Sequence, residues 1–327
     1  MNCKNFILYV LTLSFFSCIY QEKGNNEIQL NNDLILSTLS DSIFFVDIRS
    51  IIVSEDKLYI VDYEKNHVVC MDEEGTISFI IGREGHGPGE FLGAGQIFEF
   101  NDTLFVFSAG KNAIEVFNFA NYIKTIHFNN IVGRYGGSRF FANSENIYIP
   151  LANPESNISV ISLKKKEVVS VFGNIQSFKT ERQTIFQNFL NGVFYYENEL
   201  FAVFSSLPKV ERYSKNGDLK EVFSLMDIAI LQEQLQFSQN QLHIENLTVN
   251  LISDSYLKNG FLYILLNHRK DENIFSNRVL VLDVSNGKIE YSRTLNLGEG
   301  RFRSIGVSND FLWAFCGQQG SILRFPL

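Results

Sequence analysis

The side chains with the widest chemical range in this chain are five histidines, four cysteines and a recurring set of glycines and arginines. His67, His86, His127, His243 and His268 show no HxH or HExxH spacing, so nothing in their order composes a metal site. Glu99, Asn143, Asn191 and Asp254, the Glu, Asn and Asp that the innermost strands would offer near an axis, make no recognisable ligand set either. A Gly-x-Ser-x-Gly nucleophile elbow is absent. Gly82, Gly85, Gly87 and Gly89 crowd together as in a phosphate-cradling loop, yet such a loop must open a helix, and here Pro88, Phe91 and the strand-like Gln96–Phe100 follow. Those glycines instead suit a tight crossover between strands. Asp62, Asp72, Asn101 and Asp102 punctuate apolar runs and are read as turn formers. Neither a metal nor another cofactor is expected.

The ends of the chain point outward from the cytoplasm. Lys4 gives a positive start, Phe6 to Phe16 is apolar apart from Thr12 and Ser14, and small Ser17 precedes Cys18. The run is too short to span a hydrocarbon core of about 30 Å, so residues 1–17 are expected to be a cleaved signal peptide. The Ser17–Cys18 junction resembles the bacterial lipobox, with Phe15 where a leucine is usual, and that resemblance implies lipid on Cys18. Residues 18–32 would then be a tether and 33–327 the folded domain. Cys3 leaves with the signal, which leaves Cys70 and Cys316 in apolar runs as small core residues. The net charge of −8 becomes −9 without Lys4, which disfavours nucleic acid and leaves the lipid as the sole membrane contact.

An internal repeat determines the fold class. Its opening, a turn residue followed by an apolar run with an aromatic, recurs around Tyr59, Phe105, Tyr148, Phe201, Tyr263 and Trp313, at spacings of 46, 43, 53, 62 and 50 residues. Those intervals fit four short strands with their turns. Runs such as Leu58 to Val61 are apolar at consecutive positions, as in sheets packed on both faces. The expected fold is all-β, a six-bladed β-propeller with four-stranded antiparallel blades. The sixth blade exhausts the chain after Ser321 to Phe325, so an N-terminal strand must close the ring, from either Ser42–Asp47 or Asp33–Leu36. Met226 to Glu245, rich in Gln and Leu, reads as a short helical insertion.

The crossover Ile81 to Phe91, with Gly-Pro-Gly-Glu-Phe at 87–91, followed by Asp102 to Phe117, resembles an NHL-type repeat. With Ser253 to Leu266 and Val279 to Lys288, the chain is similar to the TolB-like, NHL-related six-bladed propeller lipoproteins of the Bacteroidetes. The resemblance covers essentially residues 43–327 and implies a cell-envelope location on the periplasmic or surface face. It is specific for fold and weak for activity. The expected function is a binding module for a protein, peptide or glycan partner. The alternative is a lactonase-like or lyase-like propeller enzyme with an axial metal. Arg49 and Arg303 each stand ten residues before their repeat aromatic, at the start of equivalent innermost strands. With Arg83, His86, Arg134 and Arg139 they form the candidate ligand mouth, on the face where crossovers emerge. Such a mouth would suit an anionic group, unless Arg49 and Arg303 merely pair with neighbouring acids such as Asp47 and Glu299.

Overall fold

Each repeat folds into one antiparallel sheet, because its central two strands are apolar on both sides and its turns are rich in residues that tolerate left-handed backbone. In the computed structural model, residues 26–40, 43–128, 137–244 and 247–327 are described; residues 1–17, expected to be a signal peptide, with Cys18 and Arg134, lie outside them. Six four-stranded blades span 48–81, 94–127, 141–172, 190–224, 252–296 and, for the last, 302–326 plus a borrowed strand. In blade one the strands are Ile48–Ser54, Lys57–Asp62, His67–Asp72 and Ile77–Ile81, and they pair in sequence order. The first strand of each blade is innermost, and these six strands neighbour one another around the axis.

The turns between first and second strands show how the sequence sets this up. Asn101 and Asp102, Glu197 and Asn198, and Asn259 and Gly260 all have positive φ at both central positions, the backbone that two-residue hairpins need to match strand twist. Between blades one and six the packing is apolar: Leu58, Ile60, Val69, Trp313, Phe315 and Ile322 are fully or almost fully buried in one cluster. Cys70 and Cys316 are buried and unpaired in a neighbouring cluster.

Leu34–Leu36 closes the ring. It pairs antiparallel with Ser321–Pro326 as the outermost strand of blade six. Asp33 fixes the register, receiving Arg324 Nε at 3.0 Å and its other nitrogen at 3.1 Å. Of the two segments the sequence offers, the earlier one is therefore used. The later one does a different job: Val46 N and Asp47 N donate to the Asp62 carboxylate, and Phe45 is buried among the blade-six aromatics. The chain is already engaged before Asp33, since Glu27–Gln29 runs parallel to Glu290–Asn296 as a fifth strand on blade five.

The wide spacing before blade five houses a 3-10 turn at Ala229–Leu231 and an α-helix at Gln232–Gln241, with Leu231 and Leu235 buried against blade five. A second helix, Glu181–Gln187, precedes blade four and is capped by Thr180 Oγ1, which accepts from Gln183 N at 3.2 Å. No helix among the described residues is long and apolar enough to cross a membrane.

Candidate functional site

Strand direction gives the ring two unlike faces. Crossovers and the starts of the innermost strands lie on one; the hairpins that end the innermost strands lie on the other. The sequence-selected basic residues distribute themselves unevenly between surface, loop and axis.

On the crossover face, Asp47 binds both Arg49, through Nε at 2.8 Å and a second nitrogen at 2.7 Å, and Arg303 at 3.0 Å. Arg49 and Arg303 are bulge residues of their strands, which turns their side chains outward. Arg83 pairs with Glu90 of its own crossover at 2.7 Å, and His86 is exposed on the same loop. The Glu90 carboxyl is held below its usual range, chiefly by the Gly87 N–H and then by Arg83. That crossover needs its glycine at position 82, where φ is +83° and a Cβ would lie 2.0 Å from the Phe91 ring. Replacing Arg49 and Arg303 together by alanine is expected to cost about 1–2 kcal/mol, since the guanidiniums are exposed while the Asp47 carboxylate they share is mostly buried, and to lower the melting temperature by a few degrees. If a partner still binds as tightly, these arginines belong to no ligand site; lost binding at unchanged melting temperature would place a ligand on them.

Arg139 sits elsewhere. It stands nine residues before its repeat aromatic, Tyr148, not ten. The same nine-residue offset in the six blades gives Ser50, Gln96, Arg139, Gly192, Asp254 and Ser304, one layer around the axis. Within that layer Arg139, 5% exposed, forks onto Asp254 at 2.8 and 2.6 Å and donates to the carbonyls of Ile51 and Ile305. Its guanidinium lies over the Tyr256 ring, 5.1 Å from the centroid. Asp254 also accepts from Ser255 N and Ile305 N, each at 2.8 Å. One side chain thus ties blade three to blades one, five and six and plugs the channel.

Above this plug, toward the hairpin face, the axis opens into a cavity of about 260 Å³. Two residues further along the strands, the equivalent positions in blades two to five are Phe98, Phe141, Phe194 and Tyr256. All four line the cavity, joined by Phe140 and Tyr195. Phe141 stacks on Tyr195 at 4.9 Å with 15° between planes, and Phe98 meets Phe141 edge-on at 5.1 Å. In blade six the equivalent residue is Gly306, where a Cβ would lie 2.7 Å from Ile51 Cγ2. That closeness lets the Tyr256 hydroxyl reach blade one, bonded to Val53 N at 3.0 Å and Val53 O at 3.2 Å. Burial pushes the Tyr256 phenol up, so it stays neutral.

The polar groups of the cavity are few. Glu99, half-buried on its wall, accepts from Ser54 Oγ at 2.6 Å and from Asp102 N at 2.8 Å. Among the described residues no three His, Cys, Asp or Glu side chains group as metal ligands. Sequence reasoning singled out the crossover face and missed this cavity. The available signal was the aromatic at a fixed offset of seven residues before the repeat aromatic in four successive blades.

Comparison with solved structures finds the same architecture at low sequence identity. A member of the DUF4221 family from Bacteroides vulgatus superposes with TM-score 0.59 at 11% identity, covering 92% of this chain and 98% of its own. A Bacteroides fragilis protein described as exported gives 0.58 at 13% identity, covering 91% and 98%. Virginiamycin B lyase from Staphylococcus aureus gives 0.55 at 12% identity, covering 90% and 98%. At these identities the likeness is one of fold. No curated protein matches the sequence. A family profile described as a 6-bladed β-propeller does match, over residues 33–294, and with the six blades just traced the chain belongs to that DUF5128 family.

Proposed function

We propose that this protein is an exported, lipid-anchored binding module that receives part of a peptide, protein or glycan partner in the axial cavity of its hairpin face. The observation that carries this is the cavity itself: a concave site lined by six aromatic side chains and a few convergent polar ones, formed by inner strands of five blades over a fixed ionic floor. Its ionisable lining consists of Glu99, Arg139, Tyr195 and Tyr256. Arg139 is committed to Asp254, which leaves a surface suited to holding a group more than to transforming one. Rigid strands position every wall residue, so little ordering accompanies binding.

A panel of peptides and oligosaccharides, screened against wild type and Tyr195→Ala, tests the site. Tyr195 is half-buried and its hydroxyl bonds Asn198 of its own hairpin, 3.0 Å away, with no other hydroxyl partner among the described residues, so its loss should leave the blade intact. Ligands of the wild type are expected to weaken at least tenfold, about 1.4 kcal/mol. Equal affinity for the variant would remove the cavity from the function. A stoichiometric metal that survives dialysis would favour the axial-metal enzyme instead.

Export and anchoring rest on the Lys4 to Cys18 leader. Cys18→Ala is expected to move the protein from the membrane to the soluble fraction, since stable anchoring needs more than one acyl chain on that residue. A variant that stays with the membrane, with no lipid found on the wild type by mass spectrometry, would overturn the anchor.

A further inference from the structure

The charge around the axial cavity narrows what it can hold. Arg139 and Asp254 cancel at its floor. Glu99 remains on the wall, and its contacts are a hydroxyl and a backbone N–H, both neutral donors. Among the described residues no lysine or arginine forms an ion pair with it. The cavity therefore carries one negative charge that no ion pair answers; Lys57 lines the adjoining hollow with Glu99, but so do the acids Glu55 and Asp102.

The ring of hairpins nearest the axis extends the same sign outward. Where first and second strands join, these turns carry Glu55, Asp56, Asp102, Glu145, Glu197 and Asp310 against Lys57 and Lys258. Lys164, Lys165 and Lys166 lie in the outer hairpin of blade three, away from the axis. A cation approaching this face is drawn toward the axis and an anion is turned away. The walls it then meets are the faces and edges of Phe98, Phe141 and Tyr195, and aromatic faces attract cations by about 0.5–2 kcal/mol per ring, the more so when water is excluded. Tyr256 already holds a guanidinium in that way.

We infer that the axial cavity is a receptor for an organic ammonium group, presented as a lysine side chain of a peptide or protein partner, with Glu99 as its counter-ion and Phe98, Phe141 and Tyr195 as its cage. The inference rests on the cavity being the binding site proposed above and names the group it takes. Size agrees: about 260 Å³ falls below the ~300–1,000 Å³ of sites that enclose whole small molecules, and suits one long side chain. A sugar would satisfy the rings and leave the Glu99 charge unanswered.

The test is calorimetric titration of the full propeller with the capped peptide acetyl-Gly-Lys-Gly-amide and its counterpart in which norleucine replaces lysine, alike in length and lacking the charge. The lysine peptide is expected to bind at least tenfold more tightly, with a preference that shrinks between 50 and about 500 mM salt. Glu99→Gln keeps an oxygen acceptor for Asp102 N and presents its NH2 to Ser54 Oγ, which can rotate to accept, and should abolish the preference while leaving the melting temperature within about 2 °C. Asp102→Asn, a milder change in the same hairpin, should reduce the preference in part. Equal binding of the two peptides, or an undiminished preference in Glu99→Gln, would overturn the ammonium assignment and leave the cavity as a site. If neither peptide perturbs the Tyr195 and Phe141 ring signals in NMR spectra, the assignment also fails. Methyl glucoside, added as a neutral probe of the same rings, then reports separately whether the cavity binds anything.

Discussion

Removal of residues 1–37 is expected to lower the melting temperature by roughly 6–10 °C, whereas removal of residues 1–25 should change it by no more than a degree or two. The shorter truncation stops before the first described residue and removes none of the described strands. The longer one strips the outer strand from blade six and exposes the edge of Ser321–Pro326. It also takes away the Asp33 carboxylate that holds Arg324 through Nε and Nη2, and Nη1 of Arg324 reaches the Glu73 carbonyl of blade one at 3.2 Å. Leu36 packs beside Gly75, where φ is +91° and a Cβ would lie 2.8 Å from Leu36 Cδ2. The N-terminal strand is thus wedged over the junction at which the first and last blades meet. Half-buried Leu34 and Leu36, together with the register pair and the parallel strand Glu27–Gln29 with its Arg278 contact at 3.2 Å, contribute about 3–5 kcal/mol. For a domain of this size each kcal/mol moves the melting point by about 2 °C. Thermal unfolding of both truncations followed by circular dichroism would decide it: coincident curves for 1–37 and the intact chain would mean that the ring closes without this strand.

The six-fold repeat was legible because the same physical demand, a strand buried on both faces, was met six times with an aromatic at a fixed place. The helical insertion was legible for the opposite reason, a Gln- and Leu-rich stretch without alternation. Ring closure was legible only down to two segments, since both are short apolar runs. The choice depends on an ion pair between Asp33 and Arg324, 291 residues apart, that no local pattern reveals. The helix Glu181–Gln187 escaped because its seven residues are mostly polar and its signal is a single capping threonine. The site was harder still. In an extended strand a one-residue shift reverses the face a side chain occupies, and a bulge displaces the count once more. Arg49 and Arg303 are bulged and Arg139 is not aligned with them, so basic residues that look alike in the repeat end in different places. Phe98, Phe141, Phe194 and Tyr256 could be aligned by offset, but whether their rings fill a core or wall a cavity depends on the small Gly306 and on the Arg139 plug beneath.

That plug carries the second large effect. Arg139→Met should destabilise the propeller by about 3–5 kcal/mol, because Asp254, 2% exposed, would keep its charge with no cation to meet it. Asp254→Ala should do at least as much, for it strands the guanidinium and also removes the acceptor of Ile305 N. The double variant Arg139→Met/Asp254→Ala removes both charges, and its loss should fall well short of the sum of the singles. Full recovery is not expected, since Ile305 N and the carbonyls of Ile51 and Ile305 would still lack their partners in a buried layer. Urea unfolding of the four proteins, combined as a double-mutant cycle, gives the coupling directly, and a value of about 2 kcal/mol or more is expected. Additive losses would show that the two side chains act independently, each through its backbone contacts. The same cycle bears on the cavity above. Methionine in place of Arg139 leaves Asp254 as a second uncompensated carboxylate beneath Glu99, so a lysine-bearing ligand should bind Arg139→Met at least as tightly as wild type at temperatures where the variant remains folded, while the neutral norleucine ligand should gain nothing from the change.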